Sequence, residues 1–383
     1  MNQKRKIIYL SGFIFSLSIA LMSYINSSFI ASFVGEKLVG TIYALSSIVS
    51  ILILLIAPEI FRKVGGYKFL LYAISLNALS VLLFAFSKDV WSAVILFVSG
   101  FALNILIYFS LDELLKIFSE ESKIGKTRGE YLALCSSAWI IAQLALGTIL
   151  GEFSFKIIYL ISFAVMALLI ILVYFYLRDI PDPRYDKANT RKYIGEFFKN
   201  KNLFRAYSIS LLLQFFYCWM VIYTPIYLSL HLGFSWKEIG IIFAVMLLPF
   251  SIIPFHLGKY SDKIGERKIL MSAFTITSLA TFLLFFIHGH DMWLWAALLF
   301  TTRVGAASIE VMSDSYFFKH IRPENEEFVG VYRSAPPVSY IIGPLIAFFV
   351  FSFIPSFNFI YLILGAVMLS GIYLSSTIKK SDI

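Results

Sequence analysis

Long apolar runs separated by short polar segments make up most of this sequence. Twelve of the runs approach or exceed the roughly 20 residues that an α-helix needs to cross a bilayer. None of the polar segments is long enough to hold a separate soluble domain. The pattern therefore predicts an all-α membrane protein with twelve transmembrane helices. The expected bounds are 7–32, 39–61, 67–86, 91–113, 130–152, 155–177, 206–229, 238–257, 268–287, 292–315, 330–352 and 356–377.

Two similar segments indicate that this pattern is duplicated along the chain. Residues 62–70 read R-K-V-G-G-Y-K-F-L, and residues 262–270, 200 positions later, read D-K-I-G-E-R-K-I-L. A second match follows at an offset of 201, where Gly129 corresponds to Gly330 and Tyr131 to Tyr332. Matches at nearly one offset predict two copies of one unit, each with six helices.

The longest polar connection divides the twelve runs six and six. It spans 178–205 and contains two prolines and eight basic residues. We therefore expect an N-terminal six-helix bundle over 1–177, a linker over 178–205 and a C-terminal six-helix bundle over 206–383. Within the linker, 192–198 is expected to form a short interfacial helix. Its basic charge fits orientation of the chain and attraction to anionic lipid.

Composition and charge support the membrane interpretation and set a topology. Apolar residues form 59% of the chain and charged residues 14%, whereas soluble domains have about 45–50% and 25%. The net charge of +9 is scattered rather than gathered in one patch, so we expect no nucleic-acid partner. Of the 32 Lys and Arg residues, 27 lie on one side of the predicted spans and 4 on the other. The positive-inside rule then places both termini in the cytoplasm and the protein in the cytoplasmic membrane.

Three ionisable residues fall within or at the edge of the predicted span 292–315. Arg303 and Glu310 are seven residues apart, about 20° short of two helical turns, and Asp314 follows about 40° past one further turn. They therefore share one stripe of the helix. Charged groups inside a bilayer are costly and are mostly functional. Arg303 and Glu310 are thus either a structural ion pair or a coupling or substrate site.

The connection between the eighth and ninth runs carries a recognisable motif. Residues 258–268 read G-K-Y-S-D-K-I-G-E-R-K. This resembles the signature loop of the major facilitator superfamily, G-x-x-x-D-[RK]-x-G-[RK]-[RK]. The sequence departs from the pattern at Glu266, where the family has a basic residue. In the first repeat, Arg62 replaces the aspartate and Pro58 replaces the first glycine.

The resemblance implies a fold of two six-helix pseudo-repeats around a central cavity, with a gate at its cytoplasmic end. By position, the coupling or substrate candidates are Arg303, Glu310, Asn104, Gln143, Gln214, Tyr217 and Tyr340. The last five serve equally well in packing between helices. The gate candidates are Gly258, Asp262, Gly265, Arg267, Lys268, Asp314 and Asp112. We expect Asp262 to lie near Gly129, and Asp314 near Arg267 or Lys268.

The function that these features favour is secondary transport of a small solute by alternating access. The titratable Glu310 makes coupling to protons the default expectation. The sequence does not distinguish export of the solute from import. A facilitator without ion coupling and a non-transporting receptor or scaffold on the same fold are the alternatives. The sequence has no nucleotide-binding loop, H-E-x-x-H or nucleophile elbow, so no enzyme activity is expected. We expect no cofactor, no metal site and a monomer.

Overall fold

The computed structural model describes residues 3–117, 124–152, 154–178, 190–321, 327–354 and 356–378. Within these ranges the regular elements are all helices, and no strand occurs. Twelve of the helices described there are long and apolar enough to cross a membrane, judged by length and composition. The predicted all-α membrane fold with twelve transmembrane helices is confirmed.

The first of two compact units comprises Met1–Asp186 together with Ser235–Gly240. Its core is apolar, with Phe15, Ile74, Ile107 and Leu169 fully buried where the helices meet. The helices of its main segment are α1 Gln3–Ser23, α2 Asn26–Val34, α3 Glu36–Val64, α4 Gly66–Phe84, α5 Val90–Ile117, α6 Ile124–Glu152 and α7 Phe155–Tyr176.

The second unit comprises Lys187–Phe234 together with Ile241–Ile383. The helix expected in the linker is present as α8 Thr190–Lys199, and its Phe197 is buried against Tyr207 and Phe328. The helices that follow are α9 Lys201–Ile226, a π-helix Tyr227–His231, α10 Trp236–Ile264, α11 Glu266–Phe285, α12 Met292–His320, α13 Glu327–Tyr332, α14 Ala335–Phe353 and α15 Phe359–Ser376.

Two of the predicted spans are broken helices. The first is interrupted between α1 and α2, although its sequence has no proline there. The eleventh is interrupted between α13 and α14, just before Pro336 and Pro337. These prolines have no N–H to donate to the carbonyls of Tyr332 and Arg333, so they end α13 and suit the first turn of α14.

The duplicated motif forms the same sharp turn in both units. Gly65 alone joins α3 to α4, with φ 89° and ψ 146°, and Gly265 alone joins α10 to α11, with φ 83° and ψ 145°. Only glycine adopts such positive φ angles without steric cost. The sequence repeat is therefore also a repeat of backbone conformation.

Glu266, the residue that departs from the family motif, forms an ion pair at this turn. It is the first residue of α11, is 6% exposed and binds Nζ of Lys319 near the end of α12. A carboxylate at this place is also favoured by the positive end of the α11 dipole. The acidic substitution in the motif is thus matched by a basic residue on α12.

Close packing of α11 against α12 fixes the orientation of α12. A Cβ added at Gly305 would lie 2.1 Å from Oγ1 of Thr277 and 2.5 Å from the carbonyl oxygen of Ala273. Gly305 must therefore face α11. At about 100° per residue, Arg303 lies about 200° away from Gly305 and is directed to the other side of α12.

We expect Gly305→Ala to lower the free energy of unfolding by about 1–3 kcal/mol, because the added methyl group overpacks the contact with α11. Gly195→Ala is the matched control, since Gly195 is also helical and a Cβ there meets nothing within 4 Å. Thermal unfolding of the purified proteins in detergent checks this. Equal melting temperatures for the two variants would contradict the close packing at Gly305.

We expect Glu266→Gln to destabilise the protein by about 1–3 kcal/mol, between the values for exposed and for buried ion pairs. The control is Glu59→Gln, which breaks an exposed pair with Lys63 of 2.8 Å and should change stability little. A double-mutant cycle with Lys319→Gln measures the coupling. Additive effects of Glu266→Gln and Lys319→Gln would show that the pair contributes nothing.

Candidate functional site

The site in the second unit is built on α12, which carries Arg303, Glu310 and Asp314 along one stripe. Arg303 is eleven residues into this 29-residue helix, about 17 Å from its N-terminal end and so near its middle. Because Gly305 holds the opposite side of α12 against α11, the stripe is directed away from α11.

Glu310 receives a hydrogen bond from a neighbouring helix. The hydroxyl of Tyr217 on α9 donates to Oε2 of Glu310 at 3.0 Å. The carboxyl group is half-buried, and in the described chain no Lys, Arg or His nitrogen lies within 4 Å of it. The neutral hydroxyl of Tyr217 therefore stabilises Glu310. The cation of Arg303 was one of the expected partners.

Arg303 is buried, at 2% exposure, without an acidic partner in the described part of the chain. Its Cζ lies 5.0 Å from the ring centre of Phe216 and 5.3 Å from that of Tyr217. Its Nε and Nη1 make no hydrogen bond to any residue the structure describes. The expected alternative of a direct ion pair with Glu310 is therefore not what is observed. Cation–π contacts with α9 replace it.

Tyr217 joins the two charged residues of the stripe. Its ring contacts the Arg303 guanidinium, and its hydroxyl binds the Glu310 carboxylate. The ring also packs against Phe250 of α10, with 5.9 Å between centroids. A change of charge at Arg303 or at Glu310 therefore acts on Tyr217, which contacts both residues.

Asp314 has partners that were not expected. Its Oδ1 accepts a hydrogen bond from Tyr332 at 2.9 Å, and its Oδ2 lies 3.2 Å from Nη2 of Arg333. Among the described residues, Asp314 forms no ion pair with Arg267 or Lys268, and its proximity to them stays a prediction. The break between α13 and α14 brings Arg333 to Asp314, whereas the side chains of Arg267 and Lys268 are exposed.

A small polar cavity lies beside Glu310 and Asp314. Its volume is about 20 Å³, enough for one water molecule. Side chains from α9, α12, the break after α13 and the start of α14 line it. They include Ser210, Gln214, Glu310, Ser313, Asp314, Arg333 and Pro336. Of the predicted site residues, this cavity brings together Gln214, Glu310 and Asp314.

Three of the remaining candidates lie elsewhere. Asn104 accepts a hydrogen bond from Nδ2 of Asn77 at 2.9 Å, which joins α5 to α4. Gln143 is fully buried and donates to the carbonyl oxygen of Ala20 at 2.9 Å, which joins α6 to α1. Tyr340 is half-buried on α14 and does not line the cavity. Asn104 and Gln143 thus have the contacts expected of packing residues.

The structure describes only part of the predicted gate. Gly265 forms the turn described above, and Asp112 is half-buried on α5. The side chain of Asp262, together with Gly258, lies outside the residues whose surroundings are described. The proximity of Asp262 to Gly129 therefore stays a prediction.

Sequence reasoning missed three residues that contribute to this arrangement, namely Phe216, Tyr332 and Arg333. The only sequence signals near them were the Pro336-Pro337 pair, which marks a helix start, and the repeat match at Tyr332. Phe216 gave no signal, because an aromatic residue in an apolar span is ordinary.

Comparisons with known proteins agree with this architecture. The sequence model of the Major Facilitator Superfamily matches residues 7–252 and 219–380. No curated protein sequence matches the chain.

Several solved transporter structures share the fold. The nucleoside transporter NupG superposes with a TM-score of 0.75 at 12% identity, over 99% of this chain and 100% of NupG. A D-xylose-proton symporter gives 0.77 at 14% identity, over 99% and 98% of the two chains. The POT family transporter PepTSo gives 0.77 at 10%, over 98% and 97%. At these identities the likeness concerns the fold alone.

The family match spans nearly the whole chain and agrees with the repeat, the twelve helices and the loop motif. It indicates a transporter rather than an enzyme. The chain belongs to the major facilitator superfamily and is a multi-pass membrane protein.

Proposed function

We propose that this protein is a secondary transporter that moves a small solute together with protons by alternating access. The observation that carries the proposal is the Glu310 carboxyl group, held within a membrane-spanning helix by the hydroxyl of Tyr217. In the described chain it has no basic group within 4 Å. Ionised carboxylates are costly in a membrane interior, so proton uptake and release there can accompany a change of conformation.

The roles within the site follow from the contacts. Glu310 would carry the proton, Tyr217 would hold its carboxyl group, and Arg303 would contact the solute. The ion pair of Asp314 with Arg333 would belong to the cytoplasmic gate. The six-helix domains over 1–177 and 206–383 would move as the two halves of the transporter, as is usual for transporters built from repeats.

The chain is proposed to lie in the cell membrane with both termini and the 178–205 linker in the cytoplasm. The support is the distribution of Lys and Arg, 27 on that side and 4 on the other. The solutes named for the structural neighbours include nucleosides and D-xylose, and these provide the first neutral compounds to test.

To test the topology, single cysteines replace Lys4, Lys187 or Lys380 in a variant without Cys135 and Cys218. An impermeant thiol reagent added to intact cells is expected to leave all three unlabelled until the membrane is permeabilised. Lys88→Cys, in a segment on the other side, is the control and should be labelled at once. Labelling of any of the first three from outside would overturn the topology.

To test proton coupling, purified protein in liposomes is given a panel of nucleosides, sugars, dipeptides and organic anions with and without a pH gradient. The wild type is expected to accumulate at least one solute when the gradient is present. Glu310→Gln should abolish this accumulation and leave solute exchange intact, because exchange requires no net movement of protons. Glu196→Gln, at an exposed position on α8, is the matched control and should accumulate normally.

Three outcomes of this experiment would contradict the proposal. Accumulation by Glu310→Gln under a pH gradient would remove Glu310 from proton coupling. Exchange by the wild type without accumulation would indicate a facilitator, and absence of all flux would indicate a non-transporting member of the fold.

A further inference from the structure

Arg303 has hydrogen-bonding capacity that no described residue uses. Its Nε and Nη1 have no acceptor although the side chain is 2% exposed, and no acidic oxygen in the described chain lies within 4 Å. The nearby carboxylates are engaged elsewhere, since Glu310 binds Tyr217 and Asp314 binds Tyr332 and Arg333.

The ring contacts that Arg303 makes leave its Nε and Nη1 without an acceptor among the described residues. Phe216 and Tyr217 interact with the guanidinium through their rings, at 5.0 and 5.3 Å from Cζ. A ring face attracts the positive charge and does not replace a hydrogen-bond acceptor. An anionic group could therefore bind the N–H donors without breaking any contact that holds the side chain.

The charge balance of the site also favours an anion. Asp314 and Arg333, which line the cavity together with Glu310, neutralise each other as a pair. With a proton on Glu310, a neutral solute would leave the site with the uncompensated charge of Arg303. A monoanion would give the loaded site a net charge of zero. The empty site, with Glu310 ionised, is also neutral, so both forms can change conformation without an excess charge in the membrane.

We propose that the solute is a small organic monoanion, bound through its charged group to Arg303 and carried with one proton on Glu310. The inference rests on the proton coupling proposed above and adds the class of solute. One negative and one positive charge cross together in each cycle, so transport is electroneutral.

Binding is tested first, by thermal unfolding of the purified protein with matched anionic and neutral compounds. The pairs are methanesulfonate with methanesulfonamide, benzenesulfonate with benzenesulfonamide, and lactate with lactamide. At least one anion is expected to raise the melting temperature while its amide does not, because a ligand that binds the folded state stabilises it. If no anion does so, or if the amides raise it equally, the inference is overturned.

Variants assign the effect to Arg303. Arg303→Gln should lose the anion-dependent shift, and Arg303→Lys, which keeps the charge but has fewer donors, should retain a smaller one. Arg178→Gln, at an exposed position beyond α7, should respond like the wild type. An undiminished shift in both Arg303 variants would place the anion elsewhere and overturn the inference.

Flux in liposomes separates this inference from the proposed function. Accumulation of the stabilising anion should follow the pH gradient and stay unchanged when valinomycin and K⁺ set a membrane potential. Dependence on the potential, or accumulation of the neutral amides alone, would overturn the inference while leaving proton coupling intact. Accumulation that persists in Glu310→Gln would instead overturn the proposed function.

Discussion

The buried charge of Arg303 is the constraint around which the second unit is arranged. A cation at the centre of a membrane helix costs at least about 2.5–3.5 kcal/mol. The rings of Phe216 and Tyr217 lie against the guanidinium. Each of these cation–π contacts stabilises the charge by about 0.5–2 kcal/mol. Two such contacts offset part of this cost, and they occupy none of the N–H donors. A carboxylate in the same position would have stabilised Arg303 more strongly and would have used those donors.

The position of this charge depends on packing at a distance from it. Gly305 lets α12 approach α11 closely, and this contact fixes the orientation of α12 about its own axis. In this orientation Arg303 is directed toward α9. Tyr217 on α9 then contacts Arg303 with its ring and Glu310 with its hydroxyl. A single side chain thus links a fixed charge to a titratable one. The link consists of one side chain on a helix, which supports the proton coupling proposed above.

The sequence was sufficient to predict the helices but not to predict which side chains contact one another between them. Apolar runs predict membrane-spanning helices because the bilayer sets their length, and helical periodicity correctly put Arg303, Glu310 and Asp314 on one stripe. Which residue faces that stripe depends on helix rotation and on breaks such as that between α13 and α14. The partners of Asp314, which are Tyr332 and Arg333, were therefore missed, and so was Phe216. Asn104 and Gln143 illustrate the same limit, because their polarity is used in packing between neighbouring helices.

The two repeats share a turn and differ in the chemistry of their side chains. Gly65 and Gly265 make the same turn, and Asp112 and Asp314 correspond at an offset of 202. At that offset Arg303 corresponds to Phe101 and Glu310 to Tyr108, which packs edge-on against Phe15 at 4.9 Å. The first unit therefore has aromatic side chains at the positions of Arg303 and Glu310 and keeps an acidic residue at the position of Asp314. The difference lies in the side chains, and the contacts proposed above for the solute and the proton therefore belong to the second repeat.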